Sequence, residues 1–239
     1  MESRRMLFRG FGVVAMAAAT PSLFAGRRGK DIGEVEPHYS RAVANGMFGA
    51  FTPLLGNRTD TGQFRVALHS WRVTGEHFDE IGLFKRGEDL VRTTDINAVM
   101  AEVHRMPVEI VRIADEYGEK VDIEALQARI AALTPDRVTE ALTYLASSGP
   151  AALFDRVSQT LEDLANDRRP GRSAGSRVTS ASDGFCQGLA AIEATLWILA
   201  ALYTIGCAAT GGVCVPCCMA AGVLGLAAGA VALLEVIVC

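Results

Sequence analysis

Six cysteines carry the most reactive chemistry in this 239-residue sequence: Cys186, Cys207, Cys214, Cys217, Cys218 and Cys239, all of them beyond residue 185. An even set of thiols can pair fully in an oxidising compartment, and the sequence leaves open which of the fifteen possible pairings forms. Zinc wants four ligands in paired clusters. Here Cys214-Val215-Pro216-Cys217-Cys218 is one cluster, with no histidine from residue 183 to 239, so the spacing disfavours a structural metal site. Cys214 and Cys217 also have the spacing of a redox pair, but no thioredoxin-like βαβ pattern surrounds them. Structural disulfides are the expectation, and no cofactor is expected.

The remaining chemistry-bearing residues do not assemble into a catalytic set. His69, His77 and Glu80 share no helical face under a loop-like reading and are expected at the surface, as are Glu102, His104 and Glu109. Gly10 and Gly12 fall in an apolar leader rather than in a phosphate-binding loop. Without a nucleophile, base and orienter, an enzyme is not expected.

Charge divides the chain into blocks. Residues 1–30 are net +5, residues 31–182 net −6 and residues 183–239 net −3, with no Lys or Arg in the last block. No block after the start is basic, which excludes nucleic acid as an expected partner. Residues 1–25 read as an export signal: a basic start, an apolar stretch over 10–19, a break at Pro21, and cleavage after Ala25 or, as the alternative, Ala19. Arg4 and Arg5, followed by Met6-Leu7-Phe8-Arg9, resemble a twin-arginine signal. An uncleaved anchor is the alternative reading of the same residues.

Elements able to position the cysteines follow from the apolar spacing. Residues 26–166 read as a mainly helical domain. Within it, residues 31–60 are mixed and Gly-rich, with an Asn57-Arg58-Thr59 glycosylation pattern. Phe64, Val66 and Leu68 alternate with Arg65, Ala67 and His69, predicting a half-buried strand over 63–73, with an apolar run at 81–84 to pair with it. Asp95 sits as an N-cap before the stripe Ile96, Val99, Val103, Met106, Ile110, Ile113 and Tyr117, which Pro107 kinks or restarts and Gly118 ends. Further stripes at Ile123–Leu133, after Thr134-Pro135, and after Gly149-Pro150 complete a helical bundle. Residues 167–184 break the periodicity. Arg169, Arg172 and Arg177 in this linker are where a protease would cut most easily.

Residues 185–239 read as a cysteine-rich hairpin of two apolar helices, 189–205 and 219–238, around a turn containing Gly211, Gly212 and Pro216. Gly225 and Gly229 form a small-residue spacing that allows close backbone approach. Each stretch approaches membrane-spanning length, so a membrane-anchored structural or interaction protein is the competing reading. Glu193 and Glu235 count against it, since each costs a few kcal/mol in lipid unless paired.

Thr204-Ile205-Gly206-Cys207-Ala208-Ala209-Thr210-Gly211-Gly212, then Cys214, and the closing Glu235-Val236-Ile237-Val238-Cys239 resemble the C-terminal peptide of the halocin "C-eight" precursors, the microhalocin bacteriocins. The resemblance implies a secreted precursor whose C-terminal peptide is released as an antimicrobial acting on a target-cell membrane or receptor. It also implies that the N-terminal portion is the peptide's immunity partner.

Overall fold

Side-chain oxygens start four of the helices. The computed structural model describes residues 32–56, 58–167 and 181–239, and within them every regular element is an α-helix. These are α1 Ile32–Leu55, α2 Thr61–Glu80, α3 Leu83–Thr93, α4 Ile96–Val103, α5 Met106–Glu116, α6 Ile123–Ala131, α7 Pro135–Ala165, α8 Ala181–Ala209 and α9 Val215–Val238. Asp60 accepts the Gln63 amide at 2.7 Å, Asp95 that of Asn97 at 2.6 Å, and Asp122 that of Ala125 at 3.0 Å. Each bond satisfies an amide that the first helical turn leaves without a partner. Thr134 plays the same part for α7, and Pro107 and Pro135 occupy first turns, where a missing amide costs nothing. Gly149 bends α7 with a φ of 79°, a left-handed angle, and Pro150 restarts the helix behind it.

The strand expected over 63–73 is not present: those residues lie inside α2, and no strand occurs among the described residues. The buried side chains of α2 are Phe64, Ala67, Trp71, Thr74, His77 and Phe78, a spacing of three and four that holds for the whole helix. The two-residue alternation of Phe64, Val66 and Leu68 is a local coincidence inside that longer period. The apolar run at 81–84 is likewise the turn into α3. Helix α1 occupies most of the stretch that the sequence left without an element. Ser40, Ala44, Met47, Phe51 and Leu54 form its buried stripe, with Gly46 and Gly49 between them.

Helices α8 and α9 run antiparallel as a hairpin, and the other helices enclose it. Helices α1, α5 and α6 pack on α9, while α3, α4 and α7 pack on α8. The result is one apolar core to which both parts contribute. Trp71, Phe51 and Leu126 come from the enclosing helices, Trp197, Tyr203 and Leu224 from the hairpin, and all are essentially inaccessible to solvent. Burying side chains of this kind contributes roughly 1.5–3 kcal/mol each. Arg4, Arg5 and Ala25 of the export signal and Arg169, Arg172 and Arg177 of the linker lie outside the described residues, as does Asn57. Residues 181–184, read from sequence as linker, begin α8.

Candidate functional site: a cross-linked hairpin inside a helical jacket

All six cysteines pair with one another. Cys186 bonds Cys239 across the open end of the hairpin, Cys207 bonds Cys218 across its turn, and Cys214 bonds Cys217 where the chain enters α9. The turn is shaped by its backbone. Gly211 and Gly212 take φ values of 61° and 80°, and their amides bond Ala208 O at 2.9 Å and Cys207 O at 3.0 Å, closing the last turn of α8. Thr210 then ties both sides of the turn. Its hydroxyl donates to Cys207 O at 2.9 Å and accepts the Cys214 amide at 3.2 Å. No bridge reaches residues 32–167, so among the described residues the hairpin has no covalent cross-link to the jacket.

Charged contacts between the two parts sit at opposite ends of the hairpin. Near the Cys186–Cys239 end, Arg129 of α6 bonds both Glu193 of α8 and Glu235 of α9. Its Nε reaches Glu193 Oε2 at 3.1 Å, and Trp197 Nε1 donates to the other Glu193 oxygen at 3.2 Å. The Glu193 side chain is 3% exposed, so without Arg129 a carboxylate would be left buried and unpaired. Burial pushes the Glu235 carboxyl above its ordinary range, with the Arg129 charge opposing that shift. Glu193 likewise holds the Arg129 guanidinium more firmly protonated than usual. At the turn end, Arg86 of α3 donates to Cys214 Sγ at 3.0 Å and Cys217 Sγ at 3.4 Å.

Between these ends the contact is close and, apart from one Tyr203 hydrogen bond, apolar. Tyr203 enters an aromatic cluster of the jacket, edge-on to Phe78 with ring centroids 6.3 Å apart. In the same cluster Trp71 stacks on Phe154 at 4.1 Å. The Tyr203 hydroxyl donates to Leu83 O at 2.6 Å, and burial raises its phenol far above the ordinary value. Gly87 makes this fit possible: a Cβ there would stand 2.8 Å from the Tyr203 hydroxyl and 2.9 Å from Pro150 Cγ. The small-residue spacing on α9 also faces the jacket. A Cβ on Gly229 would meet Ile110 and Leu55 at 3.3 and 3.4 Å, and one on Gly225 would meet Met106 Sδ at 3.9 Å.

The histidine expectation holds for only part of the set. His69 and Glu80 are exposed on α2, but His77 on the same helix is 2% exposed. His77 shares a hydrogen bond with Ser40 of α1 at 2.8 Å, and the Tyr39 ring meets it edge-on at 4.5 Å. A loop-like spacing places His77 at the surface, but α2 runs on to Glu80 and turns it inward. Among the described residues no group of three or more His, Cys, Asp or Glu is placed to hold a metal ion.

Arg86, Arg129 and Tyr203 are the contacts that sequence reasoning did not find. A signal for Arg129 existed: two carboxylates inside a segment with no basic residue require a cation from elsewhere in the chain. Nothing in the spacing says which arginine supplies it. No protein family, curated protein or solved structure matches the chain.

Proposed function

We propose that the chain is a secreted precursor of a cysteine-rich antimicrobial peptide, exported by the twin-arginine route and released from residues 185–239. In this reading residues 26–166 keep the peptide soluble and act as its immunity partner, and Arg169, Arg172 or Arg177 marks where the linker is cut. The observation that carries the reading is the confinement of all three bridges to the hairpin. One cut in the linker leaves a cross-linked peptide held to the jacket by noncovalent contacts alone. Losing the jacket would uncover Trp197, Tyr203 and their neighbours, an apolar surface of the kind that inserts into lipid or a receptor groove. With no Lys or Arg from residue 183 onward, electrostatic attraction to anionic lipid cannot supply the affinity.

Intact mass of the protein purified from culture medium tests the reading. A species of the hairpin alone is expected, and growth inhibition of close relatives should vary little with ionic strength. A full-length chain as the sole product, tightly cell-bound, would overturn it.

A membrane-anchored interaction protein is the second reading, favoured by the length and apolarity of Gly184–Ala209 and Val215–Val238, each sufficient to cross a membrane. Both helices are largely covered by the rest of the fold, and Glu193 and Glu235 share Arg129. A chain that stays in carbonate-washed membranes with free thiols would put this reading first.

A further inference from the structure

The three bridges stand in unlike electrostatic surroundings. Cys239 ends α9, with its amide on Glu235 O at 2.8 Å, and Cys207 lies in the last turn of α8. Helix C-termini are electronegative and disfavour a thiolate. Cys214, by contrast, is the N-cap of α9 and Cys217 lies in its first turn, at the electropositive end of the helix, which Cys218 of the Cys207–Cys218 bridge shares. The Arg86 guanidinium donates to both sulfurs. Positive charge and a helix N-terminus are the two features that stabilise a Cys-x-x-Cys thiolate. Access does not separate the bridges, since Cys239 is exposed and Cys186, Cys207 and Cys218 are half-buried, but within this one Cys214 is half-buried and Cys217 fully buried, so Cys214 is the sulfur open to attack. Spanning only three residues, this bridge also restrains the unfolded chain least of the three.

We propose that Cys214–Cys217 is a thiol–disulfide exchange site for a low-molecular-weight thiol, and that Arg86 sets its reactivity. An incoming thiolate attacks the accessible Cys214 Sγ. The bond to Cys217 breaks, and Cys217 leaves as a thiolate held by Arg86 at the N-terminus of α9. A second thiolate attacks the external sulfur of the mixed disulfide and releases Cys214. Two external thiols are thereby oxidised to one disulfide, their two electrons reduce the bridge, and the protons they give up can reload Cys214 and Cys217. The Cys186–Cys239 and Cys207–Cys218 bridges stay closed. This assignment concerns the intact chain and does not depend on cutting of the linker.

The test is stepwise reduction of the oxidised full chain with dithiothreitol at neutral pH, followed by acid quenching, alkylation and mass mapping of the labelled cysteines. Cys214 and Cys217 are expected to be labelled together and first. Arg86→Gln should slow their opening about tenfold through loss of the charged donor to the leaving sulfur, while R86K loses less. First or simultaneous opening of either other bridge would overturn the proposal, and so would an unchanged opening rate in R86Q. Should far-UV spectra reveal that R86Q disturbs the fold, the order of opening in the unaltered chain decides alone.

Discussion

The jacket and the hairpin are held together by different physics. Four jacket helices, α2, α4, α6 and α7, begin on Asp or Thr caps, and the jacket carries ion pairs on its outer faces, such as Lys85–Glu88, Arg105–Glu102 and Arg137–Glu140. Each exposed pair adds only a few tenths of a kcal/mol, but together with the caps they help fix where the capped helices start and which faces turn outward. The hairpin has no basic residue, and α9 begins on a cysteine whose side chain makes no capping bond. Covalent closure and the surrounding helices supply what local patterning does not. A segment this apolar can therefore be specified by its enclosure.

Removing the closures strikes hardest at that contrast. Loop-entropy arguments give about 4 kcal/mol for Cys186–Cys239, whose partners are 53 residues apart, about 3 for the 11-residue Cys207–Cys218 loop, and under about 2 for the 3-residue Cys214–Cys217 loop. Urea unfolding of the full chain carrying paired Cys→Ala substitutions should follow that order. An equal loss for all three pairs would mean that the jacket, and not the bridges, holds the hairpin.

Arg129→Met comes next. It removes the shared cation from Glu193 and Glu235 and should cost about 2–3 kcal/mol, less than a fully buried pair because the Arg129 side chain is 28% exposed. Adding Glu193→Gln and Glu235→Gln should recover part of the loss in the same urea titration. No recovery would assign the effect to packing by the Arg129 stem.

A smaller change sharpens the comparison from the jacket side. Gly87→Ala forces a methyl group against the Tyr203 hydroxyl and Pro150, at an expected cost of about 1–2 kcal/mol in thermal unfolding. Combining it with Tyr203→Phe should relieve some of that cost, since the hydroxyl is the nearest atom.

The gentlest probe is pH. Burial holds the His77 imidazole below its ordinary value, so the unfolded chain takes up a proton that the folded chain resists. This contribution is complete above the unfolded histidine value of about 6.5 and declines as pH falls through it. His77→Gln should flatten the slope in stability measured between pH 7 and pH 5.5. A slope that survives the substitution would have to come from other groups.

Much of this architecture was legible in the sequence because helices of the jacket announce their ends. Asp95, Pro107, Gly118 and Thr134-Pro135 all act where their chemistry places them. Helix α2 was misread because a short alternating run was weighed over too few residues to reveal the longer period. Helix α1 was missed because Gly46 and Gly49 lower its local propensity, a deficit that packing of Met47, Phe51 and Leu54 overrides. The hairpin and its turn were legible from apolarity and the paired glycines. Disulfide pairing was not, because it depends on which thiols the antiparallel arrangement brings together. Nor was the jacket's grip, since Arg86 and Arg129 look like any other surface arginine until the helices are assembled.

The two arginines have a further consequence for alignment. Apolar surfaces attract without direction, so an Ala- and Leu-rich rod is kept from sliding along its sheath by one helical turn, about 5.4 Å, by its few specific contacts, the Tyr203 seat beside Gly87 among them. Such a slip would carry Glu193 and Glu235 away from Arg129 and the two sulfurs away from Arg86 at the same time. The stretch from residue 193 to the end of α8 at Ala209 is about 24 Å long, so the two fixings work like pins near opposite ends of a ruler. They index the rod to one position, and a foreign hairpin of equal greasiness but different charge spacing would find no register in the same sheath.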